Sequence, residues 1–269
     1  MTFSAVFRFS FFAFRSLLDW RSDMPEPSEH SESGQPIYRY NEPKPRKLQP
    51  ALGDEDNIAA ITAHIDKHVG PPDQVFHEIV SDLVHIDVHM VAPSRRRNWY
   101  TLVTSGMSER PMHVPDGAEE LRYAELSIAL PPTWKLDEES FKDENNYWPV
   151  RWLKMLARFP HEYETWLGEG HTIPTGDPPE PYARGTKLCC MILASSALAD
   201  EGFDTLELSD RVIHFWSLIP LYREEMNFKL KHGFEAMLEQ LAKKVGGPEE
   251  LEIVHLTRRN ACAKRFWFF

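Results

Sequence analysis

The sequence predicts an α+β domain built on a mostly antiparallel mixed sheet flanked by helices. Five runs, at 83–91, 98–107, 122–131, 186–196 and 211–222, are dense in β-branched or apolar residues, as strands are. Helical periodicity surrounds them near 54–70, 148–167 and 223–247. The two kinds come in blocks of helix, strands, helices, strands and helices, with no repeat of about 20–50 residues.

Residues 1–23 hold an apolar run that Arg8 and Arg15 cut into pieces, without a basic start or a small-residue cleavage site. The run is too short to span a bilayer, and the expectation is that translation begins at Met24. An amphipathic membrane-surface helix is the alternative. Residues 24–49 are rich in Pro, Glu, Ser, Lys and Gly, which bury too little apolar surface to order themselves. Residues 1–49 are therefore expected to be an extension and flexible tail, 50–257 the folded domain, and 258–269 a basic-aromatic tail.

Order is expected from Asp54. There DEDNIAAITAHIDKHVG puts Ile58, Ile61, His64, Ile65 and Val69 on one helix face, with acidic residues first and Gly70 last. PPD turns the chain into an extended 74–80. Residues 83–91 and 98–107 read as a hairpin across the basic turn PSRRR. In 122–131, Tyr123, Glu125, Ser127 and Ala129 face one way and Ala124, Leu126, Ile128 and Leu130 the other.

Residues 148–174 carry Trp148, Trp152 and Trp166. Trp152, Met155, Leu156 and Phe159 recur at helical spacing. Pro149 suits a first turn, and Pro160 is expected to break the helix. A second short helix would then carry Tyr163, Trp166 and Leu167 to Gly168, followed by an exposed loop. The run 186–196 reads as a central strand buried on both sides. Residues 211–222 read as another strand, and two closing helices follow, separated at Gly233.

Lys and Arg number 30 against 41 Asp and Glu, a net charge of −11. That balance argues against general binding to nucleic acid or anionic membranes and suits a basic protein partner. Cys189, Cys190 and Cys262 form no C-x-x-C, and Cys189 and Cys190, in an apolar run, read as core residues of a reducing, cytoplasmic protein.

Four segments carry a resemblance: YTLVTSGMSERPM at 100–112, RYAELSIALPPTW at 122–134, WPVRWLKMLARFPHEYETWLGEGHTIP at 148–174 and LIPLYREEMNFKLKHG at 218–233. In order and spacing they resemble the suppressor of fused (SUFU) domain family in its bacterial form, across about residues 55–250. The resemblance implies an α+β domain that binds protein and has no enzymatic activity. Animal members restrain a zinc-finger transcription factor of Hedgehog signalling, and bacterial members are thought to act as immunity proteins against partner toxins. It also places peptide binding around residues 157–171. Where the animal members have a tyrosine after the Ala-Arg pair and an aspartate before the histidine, this chain has Phe159 and Gly170, with Glu169 adjacent. The animal ligand is thereby in doubt, while a protein or peptide ligand stays open.

The resulting protein-binding candidates are Phe159, His161, Glu162, Trp166, Glu169 and His171, an aromatic anchor among acidic neighbours. The expected partner is a basic toxin domain or peptide, with a regulatory sequestering role as the alternative. No catalytic residue, metal or cofactor is expected. A metal-dependent enzyme would have to use His64 and His68, four apart on a helix, with His85, Asp87 and His89 on one strand face and His77 nearby. Its third ligand is unspecified, and H-E-x-x-H is absent. Residues 104–108 lack a G-x-S-x-G elbow, so Gly106 reads as a turn residue. Arg95, Arg96 and Arg97 read as an exposed turn, Glu224 and Glu225 as a solvated face, and the C-terminal aromatics as packing.

Overall fold

The computed structural model describes residues 27–40, 47–78 and 81–263. The chain opens with a two-stranded hairpin, β1 (Glu29–His30) and β2 (Pro36–Ile37), followed by α1 (Glu55–His68). The Asp54 carboxylate caps α1 by accepting from the N–H groups of Asp56 and Asn57 at 3.1 and 3.2 Å. Then come β3 (Gln74–Phe76), β4 (Asp87–Val91), β5 (Tyr100–Ser105), β6 (Ala124–Leu130) and the long helix α2 (Glu144–Tyr163). The second half holds β7 (Thr172–Pro174), β8 (Leu188–Ala194), β9 (Thr205–Glu207), β10 (Val212–Tyr222), α3 (Arg223–His232), α4 (Phe234–Lys244) and α5 (Pro248–Glu252).

Strands β3 to β10 form one mixed sheet in the order β3-β4-β5-β6-β10-β8-β7, with β9 pairing the start of β10. Among the described residues, the β6–β10 ladder is parallel and the other ladders of the sheet are antiparallel. Period-two alternation splits the buried side chains between two faces. Leu126, Ile128 and Leu130 meet Trp148, Trp152, Leu153 and Leu156 of α2 on one face. On the other, Val91, Val103, Ile213 and Phe215 cover Ile61 and Ile65 of α1, and Cys190, Ile192, Ile219 and Leu221 cover Met237 and Leu241 of α4. Helices thus lie on both sides of the sheet, which is why β6, β8 and most of β10 are buried along their length.

Four local expectations change. Pro160 does not break the helix: α2 runs through Pro149 and Pro160 to an αL cap at Glu164. Pro149 therefore lies in the second turn of α2. Pro160 occupies the last turn and is buried, so ring packing offsets the loss of one bond worth about 1 kcal/mol. Strand β4 is shorter than 83–91, because Leu83 takes φ +69° and the chain bends through residues 81–86. Strand β8 is one strand in from the edge, and β6 occupies the centre.

Residues 27–40 differ from the expected flexible tail. The Ser33 N–H donates to the Leu230 carbonyl at 3.1 Å, and the Tyr40 ring meets Phe159 and Tyr163 edge-on at 5.1 and 5.4 Å. Expectations for residues 1–26, 41–46 and 264–269 lie outside the described residues. Gly106 does serve the turn: it holds φ +105°, and a Cβ there would sit 1.8 Å from the His85 carbonyl oxygen.

Candidate functional site

The turn after α2 is shaped by backbone. Both Glu164 and Thr165 donate their N–H to the Pro160 carbonyl, and the Thr165 carbonyl accepts from His113 N–H at 3.0 Å. Thr165 and Leu167 are buried, which pins the turn against the core. At Gly168 a Cβ would lie 2.6 Å from Trp166 Cζ3, so only glycine lets the indole fold back over the chain. Gly170 N–H donates to the Leu193 carbonyl at 2.8 Å and hands the chain to edge strand β7.

This arrangement divides the six candidates into three groups. Phe159 is half-buried and packs on Tyr163 and Tyr40. His161 points the other way: its Nε2 lies 2.9 Å from the Met107 carbonyl, and burial lowers its pKa to about 4. It is therefore a neutral anchor of α2 rather than a free contact. Glu162 is half-buried on the same turn.

Trp166 and His171 do come together, with Glu169 on the loop between them. The Trp166 and His171 rings meet edge to face at 4.3 Å. Burial lowers the His171 pKa to about 4, with the Lys229 ammonium adding repulsion and the hydrogen bond that the imidazole donates to the Trp166 backbone opposing. Glu169 is exposed and accepts from Ser195 N–H and Oγ–H at 3.3 and 3.1 Å. Its charge reaches Glu235, whose carboxyl is raised chiefly by burial and then by Glu169 and Glu239. It also reaches Asp204, where burial, with Glu252 and Glu169 adding to it, raises the carboxyl to about 6. Glu169, on the loop between the half-buried Trp166 and His171, thus joins Glu235 and the more deeply buried Asp204 in one acidic patch.

Sequence reasoning missed Tyr40, Asp204 and Glu235. Tyr40 sat in a segment judged by composition alone, although Tyr38 and Tyr40 were aromatic residues out of keeping with it. Asp204 and Glu235 gave no local signal, since their proximity to Glu169 is a consequence of sheet order.

The alternatives resolve individually. His64 Nε2 lies 2.8 Å from the Phe203 carbonyl, with its ring stacked on Phe203 and Phe215, so His64 is core, and His68 packs its half-buried ring on His64 at 4.6 Å. His89 is buried, with Nε2 2.9 Å from Ser105 Oγ. His85 turns toward Asp87 instead, with His77 on its other oxygen. Arg97 folds back to donate to the Ala92 carbonyl at 2.8 Å, leaving Arg95 and Arg96 exposed. Ser108 is buried on Glu125, where Thr104 Oγ1–H, Ser108 Oγ–H and the Gly106 and Ser108 N–H groups all donate to one carboxyl.

Glu225 is not part of a solvated face. It is fully buried, and Arg258 grips both its oxygens at 2.7 and 2.6 Å. Arg258 and Ala261 of the expected tail thus pack into the domain, while Phe266, Trp267, Phe268 and Phe269, the aromatics expected to pack, lie outside the described residues. Among the described residues, no helix is long and apolar enough to cross a membrane.

Comparison with known proteins gives a consistent result. A SUFU homologue from Neisseria gonorrhoeae FA 1090 superposes with a TM-score of 0.55 at 15% identity, covering 79% of this chain and 100% of that one. Sufu in the Sufu–Fu complex gives 0.55 at 16% identity, over 80% and 93%. Drosophila Suppressor of Fused gives 0.52 at 13% identity, over 78% of this chain and 54% of that one. These likenesses establish a shared fold. No curated protein sequence matches the chain. The family model for Suppressor of fused protein (SUFU) matches residues 82–259, about two-thirds of the length. By that match the chain belongs to the suppressor of fused family.

Proposed function

We propose that this protein is a non-enzymatic binding domain that neutralises a basic toxin domain by direct contact, as an immunity-type protein. The observation that carries the reading is the acidic patch of Glu169, Asp204 and Glu235, with Glu169 on the loop between Trp166 and His171, whose rings meet. A half-buried indole gives an anchor, and surrounding carboxylates steer a cationic partner toward it. A net charge of −11 extends that field over the whole molecule. Toxin domains that cut nucleic acid need cationic surfaces for their own substrate, so an acidic binder complements them. A relative, Sufu, forms a complex with Fu, which is consistent with a protein as the ligand.

Edge strand β7 offers a second element of the same surface. His171 accepts from Leu193 N–H and Thr175 N–H donates to Cys189, so alternation turns the Thr172 backbone outward. Pro174 follows, with no N–H to offer, which limits added pairing to a short register.

The test is capture of partners by the tagged protein at native level in its own host, with identification by mass. One dominant partner carrying a basic, toxic domain supports the reading, provided co-expression also relieves the toxicity. A dominant non-toxic partner replaces it with a regulatory sequestering role. Turnover of a generic substrate by the purified chain, with no partner captured, overturns both.

A further inference from the structure

One corner of the sheet gathers three ligand-type side chains that the protein-binding reading leaves unused. His77 follows β3, Asp87 opens β4, and His85 lies in the bend before it. Antiparallel pairing of Phe76 with Val88 sets His77 beside Asp87. His77 Nδ1 lies 2.8 Å from Asp87 Oδ2, and His85 Nε2 lies 3.1 Å from Asp87 Oδ1. One donor atom from each residue falls within 4.8 Å of the others.

The surrounding bonds set the tautomer of His85. Ser81 Oγ–H donates its single proton to Glu78 Oε2 at 2.8 Å. The same oxygen is 2.8 Å from His85 Nδ1, so it accepts there and Nδ1 carries the hydrogen. A neutral His85 then aims the Nε2 lone pair at Asp87 Oδ1, placing two acceptors 3.1 Å apart. Both lone pairs thus converge on one point that a metal ion can occupy, and the Glu78 N–H, donating to Asp87 Oδ1 at 3.2 Å, helps hold the carboxylate there. Glu78 is itself fixed by an ion pair with Arg158 and by Ile86 N–H, which donates at 3.2 Å. A carboxylate–hydroxyl–imidazole chain of this kind orients a metal-binding histidine.

The local charge is compatible with a cation. Glu109 adds a carboxylate near His85. Lys154 acts electrostatically on Asp87, but its ammonium donates to the Phe76 carbonyl at 3.0 Å. The Asp87 side chain is 4% exposed and that of His77 69%, so the cluster opens to water on the His77 side.

We propose that His77, His85 and Asp87 bind a divalent first-row transition ion, zinc foremost, as a three-ligand site with an open position for water. Two imidazole nitrogens and one carboxylate suit that class of ion. Ligands about 2.0–2.2 Å from tetrahedral zinc stand about 3.3 Å apart, so the two His–Asp contacts at 2.8 and 3.1 Å would open slightly while the ligand set, now within 4.8 Å, would draw in around one Asp87 oxygen. The ion would tie β3 to β4 and to the bend between them. The site is separate from the Trp166 surface, so its failure would leave the binding reading intact.

The test titrates zinc into the full chain after chelator treatment, by calorimetry, with cobalt(II) absorption as the optical probe. One equivalent of zinc is expected, with ligand-field bands on cobalt addition. His77→Ala should weaken binding at least about tenfold, Ser81→Ala by about 10–100-fold, and His68→Ala should change nothing. His77 is exposed, so its variant keeps the fold and decides the matter even where Asp87→Asn fails to fold. Uptake below one equivalent, or unchanged affinity in His77→Ala, overturns the site in favour of a proton-bridged His–Asp–His cluster.

Discussion

The Tyr40 hydroxyl and Thr165 Oγ1 lie 2.6 Å apart across 125 residues of sequence. The contact ties the N-terminal segment to the turn that presents the candidate surface. Tyr40 also covers Phe159 and Tyr163, which would otherwise be open to solvent at the end of α2. Tyr40→Ala should therefore cost about 1–3 kcal/mol, and Tyr40→Phe about 1 kcal/mol for the lost bond. Urea denaturation measures both, and limited proteolysis should cut residues 27–40 faster in Tyr40→Ala. Equal cleavage rates would mean that the segment is not held there.

Glu169 and Trp166 should fail in different ways when changed. Glu169→Lys reverses a charge on an exposed rim, so it should lower the association rate and flatten its salt dependence. Trp166→Ala removes the anchor and should raise the dissociation rate, with about 2 kcal/mol lost. Surface plasmon resonance at two salt concentrations separates the effects. If both variants bind the captured partner as the native chain does, the interface lies elsewhere.

Neither surface was fully legible in the sequence, and the reasons are physical. Strand Leu188–Ala194 announces itself as an unbroken apolar run, and helix Phe234–Lys244 by apolar residues at helical spacing. Pro160 misled because a proline's cost depends on its place in the helix: in a buried last turn it forfeits one bond and gains packing. His77 was counted near the cluster but not paired with Asp87, because it approaches that residue across the β3–β4 pairing. Glu225 escaped because its counter-charge, Arg258, comes from a segment assigned to a tail. Period finds elements, whereas pairing of distant charges is set by how elements are stacked.

Acid should destabilise this fold through its neutral histidines. Burial lowers His161 and His171 to about 4, against about 6.5 when unfolded. Between those values the unfolded chain binds more protons, so their contribution is whole above about pH 6.5 and declines toward pH 4. Asp204, raised to about 6 by burial, acts in the opposite sense, favouring the fold as pH falls through 6. Allowing for partial exposure, each histidine accounts for about 1–2 kcal/mol between pH 7.5 and 5. His161→Gln keeps a donor for the Met107 carbonyl without titrating, so its stability should fall less over that range. Parallel pH profiles for the two chains would show that His161 is free to protonate in the fold.

The Arg258–Glu225 pair offers the sharpest test of how the C-terminal segment is joined to the domain. Its side chains are 5% and 0% exposed, and Glu225 also accepts from the Tyr222 and Ala261 N–H groups. The Arg258 guanidinium lies over the Tyr222 ring as well, 4.9 Å from its centroid. Arg258→Met would leave a carboxylate buried without its cation, at a cost of about 3–5 kcal/mol. Replacing both residues with methionine removes the stranded charge and should recover much of that loss, because desolvation offsets most of a buried pair's attraction. Two backbone N–H groups would then lack an acceptor, so recovery should fall short by about 1–3 kcal/mol. Urea denaturation of the single and double variants measures the difference. If Arg258→Met unfolds at the same midpoint as the native chain, the pair contributes nothing and the segment is held by Ala261 and its apolar neighbours alone.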